Sequence, residues 1–164
     1  DLIMNLSPMA KDDIPSTVSL VSDAMNPDEG RWAQRTFDFH FGCRDAGHDD
    51  GRRYFIWRDG DSILGIVGLH HYIWGPEENV WLAWFAVAPS LKGRGYGRRL
   101  FGIVEAKARE LGYRKFLVET YDHPDFDSAR RFYQSVGMIR VGKIDNYLPD
   151  GSSMAVFGKV LGGC

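Results

Sequence analysis

The sequence predicts a mixed α/β (α+β) fold in a single domain over residues 1–164, and three features of its pattern point there. Apolar runs bounded by turn residues recur through the middle of the chain, two of them separated by Arg58-Asp59-Gly60-Asp61. Two later stretches carry apolar residues at helical spacing, and each stops at a glycine, Gly112 and Gly137. The two kinds of pattern alternate along the chain, with no internal repeat, linker or low-complexity segment.

Taken in order, Leu2 to Met9 alternates loosely and reads as a first strand ending at Ser7-Pro8. Asp12 or Asp13 can cap a helix carrying Ile14, Val18, Val21 and Ala24, closed by Asn26-Pro27. Trp32, Arg35, Thr36 and Phe39 mark a weaker second helix, and the polar stretch Cys43 to Gly51 reads as a loop. Arg53 to Trp57 and Ser62 to Tyr72 flank an Asp-Gly pair, a hairpin signal because those residues tolerate the turn's positive φ. Asn79 to Val87 is a third apolar run, too rich in Trp and Phe for a surface strand, and it stops at Pro89. Arg98 to Leu111 places Leu100, Phe101, Val104, Ala108 and Leu111 on one helical face. Lys115 to Thr120 is a short strand. Ala129, Phe132, Tyr133 and Val136 fall at i, i+3, i+4 and i+7 of a further helix. Met138 to Ile144 and Met154 to Val160 close the chain as two strands around Pro149-Asp150-Gly151.

Composition narrows the function classes. Hydrophobic residues make up 44% and aromatic residues 13% of the chain, which predicts a packed interior. A net charge of −2 offers no electrostatic reason to expect nucleic acid or a membrane surface as partner. The two cysteines, Cys43 and Cys164, are not a disulfide framework, so a reducing, cytoplasmic location is expected. No apolar run reaches the length of about 18 residues that a membrane span needs. No signal-peptide pattern opens the chain, although its start at Asp1 leaves trimming open.

The strongest chemical signal is Val87-Ala88-Pro89-Ser90-Leu91-Lys92-Gly93-Arg94-Gly95-Tyr96-Gly97-Arg98-Arg99-Leu100. A strand ends, three alternate glycines follow, and a helix begins at once. Glycines let backbone approach a ligand with N–H groups turned outward, and a helix start offers unspent N–H donors and partial positive charge. An anion is expected there, with Arg94, Arg98 and Arg99 adding charge. The G-x-G-x-G spacing does not fit a dinucleotide fingerprint, which needs G-x-G-x-x-G, and the Gly-Lys-Ser/Thr of a Walker loop is absent.

The segment resembles the cofactor motif of the GNAT family of N-acetyltransferases, Gln/Arg-x-x-Gly-x-Gly/Ala behind a strand ending in Val-x-Pro. Trp84-Phe85-Ala86-Val87-Ala88-Pro89 followed by Lys92 to Gly97 carries the first signature, and Ala129-Arg130-Arg131-Phe132-Tyr133-Gln134-Ser135-Val136-Gly137-Met138 is similar to the second. The resemblance covers nearly the whole chain and is most specific from Trp81 to Met138. Lys92 stands where Gln or Arg is usual, and Phe126 where an Asn often lies. The resemblance implies a largely antiparallel sheet of six or seven strands with about four helices, the acyl-CoA N-acyltransferase fold.

It also implies a site. Acetyl-CoA would be co-substrate, with no metal, its pyrophosphate on Lys92, Gly93, Arg94, Gly95, Tyr96, Gly97, Arg98 and Arg99. The strand at Phe85, Ala86 and Val87 would splay from that at Phe116 to Thr120 to admit the pantetheine arm, and a backbone N–H near Val87 would face the thioester oxygen. Tyr133 resembles the family's general acid, a phenol able to donate to a departing thiolate, although it also lies on an apolar helix face. Glu119 sits inside an apolar strand, where an ionised carboxylate is costly unless it is paired or faces a cavity. It matches the catalytic glutamate of the RimI-like ribosomal-protein acetyltransferases; a structural ion pair or a solvated strand end accounts for it equally. Asp122 and His123 are secondary candidates in an acidic loop, and Trp32 and Tyr147 belong to regions that wall the acceptor site in this family. Phe37, Phe39 and Phe41 share the first of those regions, whereas Trp74, Trp81, Trp84 and Phe85 read as core. His70 and His71, neighbours on a strand, point to opposite faces and do not form a metal pair.

The resulting expectation is acetyl transfer from acetyl-CoA to a primary amine by direct attack in a ternary complex. The acceptor, a small molecule or a peptide, is not legible, and relatives often pair as homodimers. A non-catalytic acyl-CoA sensor and a nucleotide-phosphate binder are the competing classes.

Overall fold

A computed structural model describes residues 2–162, and Cys164 lies outside them. The first strand, β1 (Leu6–Pro8), is shorter than the alternation suggested. Two helices follow, α1 (Ile14–Ala24) and α2 (Pro27–Asp45). The hairpin β2 (Arg52–Asp59) and β3 (Ser62–His70) turns at Asp59-Gly60-Asp61-Ser62, as its Asp-Gly pair predicts. Then come β4 (Asn79–Val87), α3 (Tyr96–Glu110), β5 (Lys115–Tyr121), α4 (Asp127–Ser135), β6 (Ile139–Ile144) and β7 (Met154–Val160). The seven strands form one sheet in the order β1-β2-β3-β4-β5-β7-β6, in which only β4 and β5 run parallel.

Both faces of the sheet are covered, which explains why its central strands are apolar nearly throughout. Tyr54, Ile56 and Ile66 turn to one face, where Ile14, Leu20, Val21, Ala33 and Phe37 of α1 and α2 pack on them. Trp57, Val67 and Leu69 turn to the other, against Leu100, Phe101 and Val104 of α3. Burying one such side chain contributes about 1.5–3 kcal/mol, so the alternation of Ile56 and Trp57 fixes the register of β2.

Helix α2 departs from expectation. It is continuous through Cys43 and Arg44, which had read as loop, and gives way before Gly47 at φ 79°. Its start is strongly specified: Asn26 Oδ1 accepts a hydrogen bond from Glu29 N at 2.9 Å, and Pro27 occupies the first helical position. A Cβ at Gly30 would fall 1.8 Å from Ser22 Oγ, so the glycine lets this first turn press against α1.

Candidate active site

Strands β4 and β5 pair only at Asn79↔Lys115, Val80↔Phe116 and Trp81↔Leu117. Beyond Leu117, β5 goes on pairing with β7 as far as Tyr121, while β4 continues to Val87 beside β3. The two parallel strands therefore part, and a cavity of about 940 Å³ occupies the opening. Its walls include Phe85, Ala86 and Val87 of β4 and Val118, Glu119 and Tyr121 of β5. This is the splay that the resemblance implied.

The parting has a local cause. Gly68 faces Ala83 across β3 and β4, yet Ile66 faces Ala86, so β4 holds one residue more than β3 over this interval. The bulge leaves Trp84 at φ 47°, a region in which a bulky side chain is strained by roughly 1–3 kcal/mol. Such strain persists only where surrounding packing imposes it; here Phe37, at 6.5 Å between ring centroids, helps hold the indole. The bulge re-aims the backbone of β4 at the point where it faces the cavity.

At one end, Lys92, Gly93, Gly95, Gly97 and Arg98 line the cavity. Gly93 and Gly95 have φ of 78° and 83°, and Gly95 caps α3, which therefore begins two residues before the predicted Arg98. Arg99 N donates to Gly95 O at 3.2 Å, so the N–H groups of Tyr96, Gly97 and Arg98 precede the first intrahelical bond and stay free for an anion. Of the three arginines expected there, only Arg98 lines the cavity. Its guanidinium donates to the carbonyl and hydroxyl of Ser135 at 3.3 and 3.2 Å. Arg94 and Arg99 lie over the Tyr96 ring at 5.7 and 5.5 Å, and Arg99 also donates to Leu2 O. The Tyr96 side chain is core, its hydroxyl accepting from Leu2 N at 3.0 Å, and only its backbone serves the loop.

At the other end stand the ionisable groups. Glu119 is exposed by surface area, but that surface opens on the cavity, and the surrounding protein still raises its pKa by desolvation. Tyr133 of α4 is 6% exposed, packs on Phe157 and lines the cavity; burial pushes its phenol far up, so it stays protonated at neutral pH. Tyr121, the last residue of β5 and stacked on Tyr147, is likewise pushed up by burial and then by the charges of Glu29 and Glu119. His70 is neutral at pH 7, since burial lowers its pKa to about 4.

Glu29 is the residue the sequence reading did not single out. It is 5% exposed, lines the cavity, and among the described residues none hydrogen-bonds to its carboxyl. Burial, with the Glu119 charge added, raises its pKa to about 7. In sequence, an acid three residues after Asn26 is fully explained as a first-turn partner of the helix dipole, so no signal distinguished it.

Other expected contacts fall elsewhere. Trp32 lines the cavity, whereas Phe37 and Phe41 are core and Phe39 is 59% exposed. Asp122 pairs with Arg140 at 2.9 Å, His123 Nδ1 accepts from Asp125 N at 3.1 Å, and Tyr147 reaches the site only by stacking on Tyr121; none of the three lines the cavity. The four aromatics that read as core divide differently: Trp81, Trp84 and Phe85 line the cavity and Trp74 is 80% exposed.

The arrangement can hold an anion at the start of α3, an extended chain between the parted strands, and a proton-accepting carboxylate and a proton-donating phenol beyond it. Residues 17–138 match the model of the Acetyltransferase (GNAT) family, and the chain belongs to that family. Its fold is shared by a GNAT-family protein of Desulfovibrio desulfuricans, with TM-score 0.84 and 21% identity over 98% of this chain and 100% of that one. It is also similar to the ribosomal-protein-S18-alanine N-acetyltransferase of Escherichia coli (TM-score 0.75, 16% identity, 99% and 96% of the two chains). A third likeness is to an aminoglycoside 6'-N-acetyltransferase complexed with coenzyme A (TM-score 0.74, 16% identity, 98% and 99%). No curated protein sequence matches the chain.

Proposed function

We propose that this acetyltransferase moves an acetyl group from acetyl-CoA to a primary amine by direct attack within a ternary complex. The observation that carries the reading is one continuous cavity with the glycine loop at one end and Glu119 and Tyr133 beyond the parting of β4 and β5. The free N–H groups at the start of α3 would hold the pyrophosphate, with Lys92 and Arg98 beside it. Acetyl-CoA, when bound, supplies the thioester; the rest is positioning and proton traffic by this chain. Backbone N–H of the bulged β4 segment would stabilise the oxyanion that develops as the amine adds to the carbonyl. Glu119 would take a proton from the amine, directly or through water, and Tyr133 would give one to the leaving thiolate as the carbon–sulfur bond breaks. The bound coenzyme A of the aminoglycoside acetyltransferase supports the choice of donor. Among possible acceptors, the likeness of fold to the S18-alanine N-acetyltransferase supports a peptide amino group.

The test is calorimetric titration with acetyl-CoA, then thiol release against a panel of small amines and peptides. Saturable binding with amine-dependent thiol release is expected. Binding without release from any amine would favour a sensor, and absence of binding would sink the reading.

A further inference from the structure

The transfer chemistry above gives no task to Glu29, a buried carboxyl on the cavity wall. Glu29 comes from the first turn of α2 and Glu119 from β5, yet both carboxyls belong to the same end of one cavity. Glu29 is more than nine-tenths buried as a residue, and its carboxyl, with no hydrogen-bond partner among the described residues, is left free to meet a ligand in the cavity. The walls about the pair are aromatic: Trp32, Tyr72, Trp81 and Tyr121. Carboxyls set in aromatic walls suit an ammonium, which the charges hold directly and the ring faces attract through their quadrupoles.

The remaining charges at this end leave that preference intact. Asp23 of α1 and Asp125, which follows β5, also line the cavity and add negative charge to it, Asp125 facing His123 Nδ1 at 3.6 Å. Arg52 of β2 is the nearby cation, but its Nη1 donates to Asp50 Oδ2 at 3.2 Å and its guanidinium lies 5.7 Å from the Phe39 ring centroid. His70 of β3 is uncharged at neutral pH, as are Tyr54, Tyr72 and Tyr121. The two carboxyls therefore set the sign of the site.

We propose that Glu29, with Glu119 on the same cavity, receives the acceptor as a cationic alkylammonium, Glu29 serving as its anchor and specificity residue. The inference rests on the acetyltransferase reading and assigns what that reading leaves blank, the chemistry that selects the acceptor. Burial and then the Glu119 charge raise the Glu29 carboxyl to about 7, so it loses its proton near neutral pH. An incoming ammonium stabilises the ionised form, and affinity rises as pH rises through that range.

The test uses n-butylammonium as probe, read by quenching of the cavity tryptophans, with leucine as a zwitterionic control and acetyl-CoA binding measured in the same samples. The wild-type protein should bind butylammonium, prefer it to leucine, and bind about tenfold more tightly at pH 8 than at about pH 5.5. Glu29→Gln should weaken binding about tenfold or more and flatten the pH dependence, while Glu29→Asp, which keeps the charge, should restore much of both. Acetyl-CoA affinity should be unchanged in either variant, which separates loss of the anchor from loss of the fold. Absence of butylammonium binding, equal affinity in Glu29→Gln, a flat wild-type pH profile, or tighter binding of leucine through Arg52 would each overturn the proposal. If butylammonium binds as described and acetyl-CoA does not, the transfer reading fails and the Glu29 anchor stands.

Discussion

The carboxyl of Glu29, on the first turn of α2, titrates under the influence of Glu119 on β5: burial and then the Glu119 charge lift it to about 7. A carboxyl so raised binds protons more tightly in the folded chain than in the unfolded one. The stability this confers is complete below the ordinary glutamate range and is lost as pH rises through about 7. Between pH 5 and 8 the wild-type protein should lose on the order of 2 kcal/mol, less than full linkage because the cavity is open to solvent. Glu29→Gln should show a shallower slope, measured by denaturant unfolding at both pH values.

Glu119→Gln should lower kcat by about 10²- to 10³-fold with little change in acetyl-CoA affinity, since the amide keeps the shape and loses the base. In the wild-type enzyme the rate should fall as pH falls, because protonation removes the base. Desolvation raises the Glu119 pKa, so the fall should begin above the ordinary carboxylate range. Initial rates across pH, compared with the variant, check both points.

Tyr133→Phe separates packing from chemistry. The ring's contacts with Phe132 and Phe157 survive, and no described group hydrogen-bonds to its hydroxyl, so stability should stay within about 0.5–1 kcal/mol of wild type. Turnover should drop about 10- to 100-fold if the phenol supplies the thiolate's proton. Thermal unfolding and single-turnover rates distinguish the two effects.

Gly95→Ala places a side chain at φ 83°, at a strain of about 1–2 kcal/mol, although no protein atom lies within 4 Å of the new Cβ. Acetyl-CoA should bind roughly tenfold more weakly by calorimetry. The melting temperature should fall by only about 2–6 °C.

What local pattern could determine, the sequence determined. The order of strands and helices, the Asp59-Gly60 turn, the stops at Gly112 and Gly137, and the glycine loop before a basic helix start all follow from residues adjacent in the chain. Glu119 stood out because a carboxylate within Phe116-Leu117-Val118 breaks an apolar strand, and Tyr133 because of its place in a recognisable signature. Other features needed partners distant in sequence. The parting of β4 from β5 depends on a bulge that puts Trp84 at φ 47°, and pairing register is not written in either strand alone. Trp81 and Trp84 looked like core because apolarity is the same whether a side chain meets another side chain or the wall of a cavity. Arg94 and Arg99 read as phosphate ligands, and only the fold shows that both guanidinium groups lie over the ring of Tyr96. Glu29 was invisible for the same physical reason: its first-turn position explains it locally, and only the packing of α2 against the sheet puts it on the cavity that Glu119 also lines. Desolvation and charge coupling act through space, and the tertiary structure alone decides which groups share that space.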